Sequence, residues 1–132
     1  ISIVECNKNI PEEKEEIIGV FLKSIVERER VLKKNELAND VLRVLIYLVA
    51  KEAESEEDVQ EDTIVLSSFT IFAIFNEYCD KYKRTNRFDN EEMLDLIVKL
   101  GILKEIEFEK YTFVEKDYFE FFFNNALNLG LL

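Results

Sequence analysis

The chain has 132 residues, 48% of them hydrophobic, with 28 acids against 17 bases and a formal net charge of −11. That length fits one domain with a core of its own, and so negative a surface disfavours nucleic acid and anionic lipid as partners. The absence of His removes Ser–His–Asp and Cys–His catalysis and every His-based metal site.

Three Gly and one Pro are few breakers, which favours helices with short connections. The start, Ile1–Cys6, is apolar but has no basic leader and no initiator Met, so it reads as the tail of a preceding helical subdomain (1–10) ahead of a main domain, 11–132. Pro11 and the acids Glu12, Glu13, Glu15 and Glu16 suit the start of a helix running to about Glu29. Its apolar stripe is Ile17, Ile18, Phe21, Leu22 and Ile25. A second helix is predicted from about Asn35, with Leu37, Val41, Leu42, Leu45, Leu48 and Val49 buried. Val44 and Ile46 widen that face enough for a central helix with neighbours on two sides.

Residues 51–62, dense in acids, break the apolar rhythm and read as a solvated loop or helix end. "TIVL" (63–66) reads as a short strand or helix lead-in, and Ser67 or Ser68 as the cap of the next helix. Phe69, Phe72, Phe75, Tyr78 and Tyr82 then form an aromatic stripe at helical spacing, read as core. Asp89 and Glu92 resemble a capping box before Met93, Leu94, Ile97, Val98 and Leu100, and Gly101 is the expected stop. Ile102–Glu109 and Tyr111–Val114 read as a hairpin in which Ile106 and Phe108 alternate with acids. The last helix, about Lys116 to Leu129, is apolar on nearly every side. A helical pair followed by a hairpin points to a mainly α winged-helix fold: a helical bundle with a small β-hairpin wing. The wide stripes of the second and last helices are the expected contact surfaces.

No catalytic, cofactor-binding or metal-binding residue emerges from this chain. Gly19, Gly101 and Gly130 are too dispersed for a phosphate loop, and no carboxylate pair stands out as an acid and base. Cys6 and Cys79 lie in apolar settings without a CxxC spacing, as reduced buried thiols of a cytoplasmic protein would. The helix that would read DNA, Asn90–Leu100, carries Glu91, Glu92 and Asp95 behind Asp89, against Lys99 alone. The basic cluster Lys81, Lys83, Arg84 and Arg87 is the candidate for weak nucleic-acid or partner contacts. No apolar run is long enough to cross a membrane.

Two segments together carry a family resemblance. "NKNIPEEKEEIIGVFLKSIVERE" (7–29) resembles the proline-led helix that begins the winged-helix region of NACHT and related STAND-type signalling ATPases. "YTFVEKDYFEFFFNNAL" (111–127) is similar to that family's aromatic-x-Phe strand, polar turn and helix with Glu-aromatic-Phe, here Glu120, Phe121 and Phe122. "LANDVLRVLIYLVAKEA" (37–53) is similar to its second helix. The resemblance implies a regulatory module that docks on the rest of its own parent chain, in a protein able to form homo-oligomers. ATP or ADP with Mg would be bound by the parent and no cofactor by these residues. Many members carry a His two positions after the strand's Phe, associated with sensing ADP. Glu115 stands there in this chain, and its carboxylate would repel a β-phosphate. The alternatives are a winged-helix DNA-binding transcriptional regulator and a stand-alone protein-interaction module.

Overall fold

In the computed structural model, residues 12–55 and 64–131 are described. They form helix α1 (Glu12–Leu32), a 3-10 turn (Glu36–Asp40), α2 (Val41–Ser55), strand β1 (Leu66–Ser67) and α3 (Ser68–Tyr82). The order continues with α4 (Asn90–Lys99), β2 (Leu103–Glu107), β3 (Lys110–Phe113) and α5 (Lys116–Asn128). The domain is mainly helical with a small three-stranded antiparallel sheet in the order β1-β3-β2. Pro11, Cys6 and most of the acidic stretch, 56–63, lie outside the described residues. Its first part, 51–55, completes α2.

Local chemistry sets the boundaries. The Ser67 hydroxyl accepts from the Thr70 N–H at 3.1 Å and caps α3. Asp89 Oδ1 accepts from the Glu92 N–H at 3.0 Å and caps α4. Gly101 ends α4 at φ 82°, with its N–H on the Val98 carbonyl and the Ile102 N–H on the Ile97 carbonyl. That double bond is the Schellman closure, and only glycine enters this left-handed region without strain. Gly130, at φ 76°, closes α5 in the same way.

Helix α2 is the central element, packed against α1, α3 and α5. Val41, Val44, Leu45, Leu48 and Val49 are buried on it, as is Tyr47. Helix α5 fills the space between α2, α1 and β3, so Phe119, Phe121 and Phe122 are all buried despite being near neighbours in sequence. Gly19 allows α1 to come close, since a Cβ there would stand 3.1 Å from Phe121 Cε1. On the sheet, Leu66, Leu103 and Phe113 point into the core.

Five expectations need correction. The second helix starts as a 3-10 turn at Glu36 and becomes α-helical at Val41. Helices α2 and α5 spend their wide apolar stripes on the core, so they are not the exposed contact surfaces. In α1, Ile18 and Leu22 are buried, but Ile17 is 64% and Phe21 48% exposed, because the helix meets α2 and α5 with one side only. In α3, Phe75 and Tyr78 are core, but Phe69 is 82% exposed; it lies in the first turn, ahead of the buried row that begins at Ile71. In the hairpin, a bulge between Glu105 and Glu107 leaves Ile106 without a cross-strand partner. The inward face therefore ends early, and Ile106 and Phe108 face out.

Candidate interaction site

Helix α4 and the β2–β3 turn present the face where a nucleic acid would be read. The exposed side chains of α4 include Glu91, Glu92 and Asp95. Its one cation is already engaged: Lys99 Nζ donates to Glu29 Oε2 at 3.3 Å. Glu29 is buried in α1 and also accepts from Asn35 Nδ2, with Lys33 Nζ 3.7 Å away. Burial pushes its carboxyl up, but the Asn35 and Lys99 hydrogen bonds and the Lys33 and Lys99 charges bring it below the ordinary carboxylate value. Acidity continues into the sheet. Burial raises the Tyr111 hydroxyl's pKa, and the charges of Glu105, Asp95 and Glu109 raise it further.

The four basic residues of the α3–α4 connection do not act as one patch. Lys83 turns inward and pairs with Asp40 at 3.0 Å. Arg87 pairs with Asp80 at 2.5 Å, and Lys81 lies over the Tyr82 ring, 5.5 Å from its centroid. Arg84 is exposed.

Lys83 and Asp40 belong to a cavity of about 530 Å³ whose lining also includes Arg43, Tyr47, Tyr78, Tyr82 and Leu129. The buried Asp40 accepts from the Tyr78 hydroxyl at 3.1 Å as well as pairing with Lys83. Burial first, then the charge and hydrogen bond of Asp40, push the Tyr78 hydroxyl's pKa far above its usual value. Tyr47 packs edge-on against Tyr78 and Tyr82, with centroids 5.7 and 6.0 Å apart. The arrangement is a polar joint between the 3-10 turn and α3, with Asp40 bonded to both Tyr78 and Lys83. Cys79, a free thiol, is buried. Among the described residues no group of His, Cys, Asp and Glu is arranged to hold a metal ion, and no helix is long and apolar enough to cross a membrane.

A different face comes from α1 and the start of α5. Ile17, Val20 and Phe21 are 64%, 69% and 48% exposed. Ile17 and Phe21 line a groove of about 360 Å³ together with Lys14, Ile18, Glu115, Asp117 and Tyr118. Lys14 Nζ bridges to Asp117 Oδ2 at 2.6 Å and ties the two helices at the groove's edge. The hydrogen bond and charge of Asp117 raise the ammonium's pKa. Glu115 occupies the N-cap position of α5 without a side-chain capping bond. Deeper in this seam Glu120 and Asn124 are buried, and Glu120 Oε2 and Asn124 Oδ1 accept no hydrogen bond; Asn124 Nδ2 donates to Glu15 Oε2 at 3.3 Å.

The structure thus brings Glu115 together with the apolar outer row of α1, a face that stripe-counting misses. The signal was present: apolar residues at 17, 18, 20, 21, 22, 25 and 26 cover an arc wider than one packed side of a helix. No family model, curated protein or solved structure matches the chain.

Proposed function

We propose that this chain is a winged-helix regulatory module of a larger NACHT/STAND-like NTPase, non-catalytic in itself and acting by intramolecular docking. The winged-helix reading is supported by the run α2, β1, α3, α4, β2, β3, in which the hairpin follows the α3–α4 pair and β1 completes its sheet. Helices α1 and α5 flank that run.

The observation that carries the functional reading is the uncovered row Ile17, Val20 and Phe21, beside a groove whose rim includes Glu115. In the family resemblance, Glu115 stands at the nucleotide-sensing position. The apolar row and that position share one side of the module, as expected if the nucleotide-bearing domain sits there. At roughly 1.5–3 kcal/mol for each fully buried aliphatic or aromatic side chain, covering what remains exposed of these three supplies about 3–5 kcal/mol. An almost complete two-state flip needs about 5.5 kcal/mol, so the face is of the right order for a switch contact. DNA reading gains nothing from the geometry, because the exposed charge of α4 is acidic and Lys99 is held by Glu29.

The test measures nucleotide affinity and mass of the full-length parent beside this chain, then introduces Ile17→Asp and Phe21→Asp together in the parent. The expected parent is larger and binds ATP or ADP. Its double variant releases nucleotide faster and is cleaved more readily between domains. A parent no longer than this chain, or a double variant indistinguishable from the unaltered parent, overturns the reading.

A further inference from the structure

The cavity of about 530 Å³ at the Asp40–Tyr78 joint is lined from three parts of the chain. Helix α2 supplies Arg43, Ile46 and Tyr47, which helical spacing sets on one side of the helix. Helix α3 supplies Tyr78 and Tyr82, one turn apart, with Lys83 just beyond its end. Leu129 and Leu131 come from the end of α5, where Gly130 at φ 76° reverses the chain. The Gly130 N–H donates to the Leu127 carbonyl at 3.1 Å and the Leu131 N–H to the Ala126 carbonyl at 2.9 Å, which fixes both leucines at the cavity wall. Leu129 is 65% and Tyr82 52% exposed, so the walls keep uncovered apolar surface. Small-molecule pockets span roughly 300–1,000 Å³, and this volume falls within that range.

The charges of the lining do not cancel. Asp40 is buried and engaged: its carboxylate meets the Tyr78 hydroxyl at 3.1 Å and the Lys83 ammonium at 3.0 Å. Arg43 is exposed and has no ion pair or side-chain hydrogen bond among the described residues. Glu77, which accepts from the Tyr47 hydroxyl at 3.0 Å, is paired with Lys51 at 3.3 Å. Lys81, over the Tyr82 ring, adds a further cation beside the cavity. In a chain of net charge −11, this lining holds two cations against one anion. A cationic ligand would meet Arg43 and Lys83, and a dianion would meet Asp40 and the field of the whole chain. One unpaired guanidinium matches one carboxylate, which it binds through two parallel hydrogen bonds. The ring walls match an aromatic body. Tyr82 already packs on Tyr47 and Tyr78, with centroids 6.0 and 5.2 Å apart, and an aromatic ligand extends that packing.

We propose that this cavity binds a small aromatic monocarboxylate, its carboxylate held by Arg43 and its ring packed against Tyr82, Ile46 and Leu129. The assignment is independent of the α1 docking face and of the parent's identity.

The test titrates this chain, isotope-labelled, with three probes: naphthoate, the neutral naphthamide, and cyclohexanecarboxylate, which has the charge without the aromatic ring. Naphthoate is expected to bind at one site and to shift amide resonances at 40–47, 78–83 and 129–131. The other two are each expected to bind at least tenfold more weakly. Arg43→Gln should weaken naphthoate at least tenfold and remove its preference over naphthamide, as loss of a charge-assisted pair requires. Tyr82→Ala should weaken naphthoate several-fold and reduce its preference over cyclohexanecarboxylate. Arg43 and Tyr82 are exposed, so both variants keep the fold, and circular dichroism checks this. No binding of naphthoate at 5 mM, equal binding of either comparison probe, unchanged affinity in Arg43→Gln, or shifts centred on Ile17 and Phe21 overturns the proposal. Ile17→Asp/Phe21→Asp in this chain is expected to leave naphthoate binding intact, so the cavity and the α1 face fail separately.

Discussion

Phe119, Phe121 and Phe122 of α5 and Phe69 and Phe108 at the corner where the β2–β3 turn meets α3 are the same side chain in opposite surroundings. The first three are no more than 8% exposed, and the last two are 82% and 84% exposed. In α5 the rings meet other rings: Phe113 and Phe119 lie 5.8 Å apart edge-on, and Phe121 and Phe122 5.4 Å apart. These contacts hold α5 in the space between α1, α2 and β3. At the corner, hydrogen bonds of the backbone and of Ser68, Glu105 and Glu109 hold the frame, and the rings contribute little to folding. The lesson is that phenylalanine content alone does not measure the strength of a core, because only burial separates rings that hold the fold from rings that face outward.

The sharpest way to break the comparison is to cut one ring on each side. Phe122→Ala should lower unfolding free energy by about 3–5 kcal/mol, as buried aromatic truncations do, whereas Phe108→Ser should change it by less than about 0.5 kcal/mol. Urea titration followed by circular dichroism reads both, and similar losses would show that the corner also supports the fold.

The two polar joints of the interior sharpen the comparison further. Asp40 is buried with the Tyr78 hydroxyl and the Lys83 ammonium as partners. Asp40→Ala strands both, so a loss of about 2–4 kcal/mol is expected. Glu120 is equally buried, but its Oε2 has no hydrogen-bond partner. Glu120→Leu should therefore be neutral or stabilising by about 1 kcal/mol, because it removes an unsatisfied polar group. A large loss there would show that Glu120 makes a stabilising contact within the folded chain.

The smallest expected effect is a pH dependence. The Glu29 carboxyl lies below its ordinary value of 4.5 in the folded chain. Its contribution is then present in full above that value and is lost as pH falls through the lower, folded-state value. Glu29→Gln should flatten the acid limb of the stability profile below pH 4.5 and leave its slope near neutrality unchanged. An identical acid limb in the variant would assign acid sensitivity to other carboxylates.

Much of the fold was legible in the residues themselves. Ser67 and Asp89 as caps, Gly101 as a stop, the hairpin and the final helix follow from short-range chemistry that acts within a few residues. The central place of α2 was readable from the width of its apolar face. The outer row of α1 and the exposure of Phe69 were not, because periodicity shows which side chains share a side of a helix but not which side finds a neighbour. The same limit applies to the charges. Composition established an acidic surface and ruled out His-based chemistry before any coordinates. Only the tertiary structure decided that Lys83 turns inward to Asp40, that Lys99 crosses to Glu29, and that Glu115 shares a groove with Ile17 and Phe21. Those pairings join residues from distant parts of the chain, and their energies depend on burial and separation, which packing alone determines.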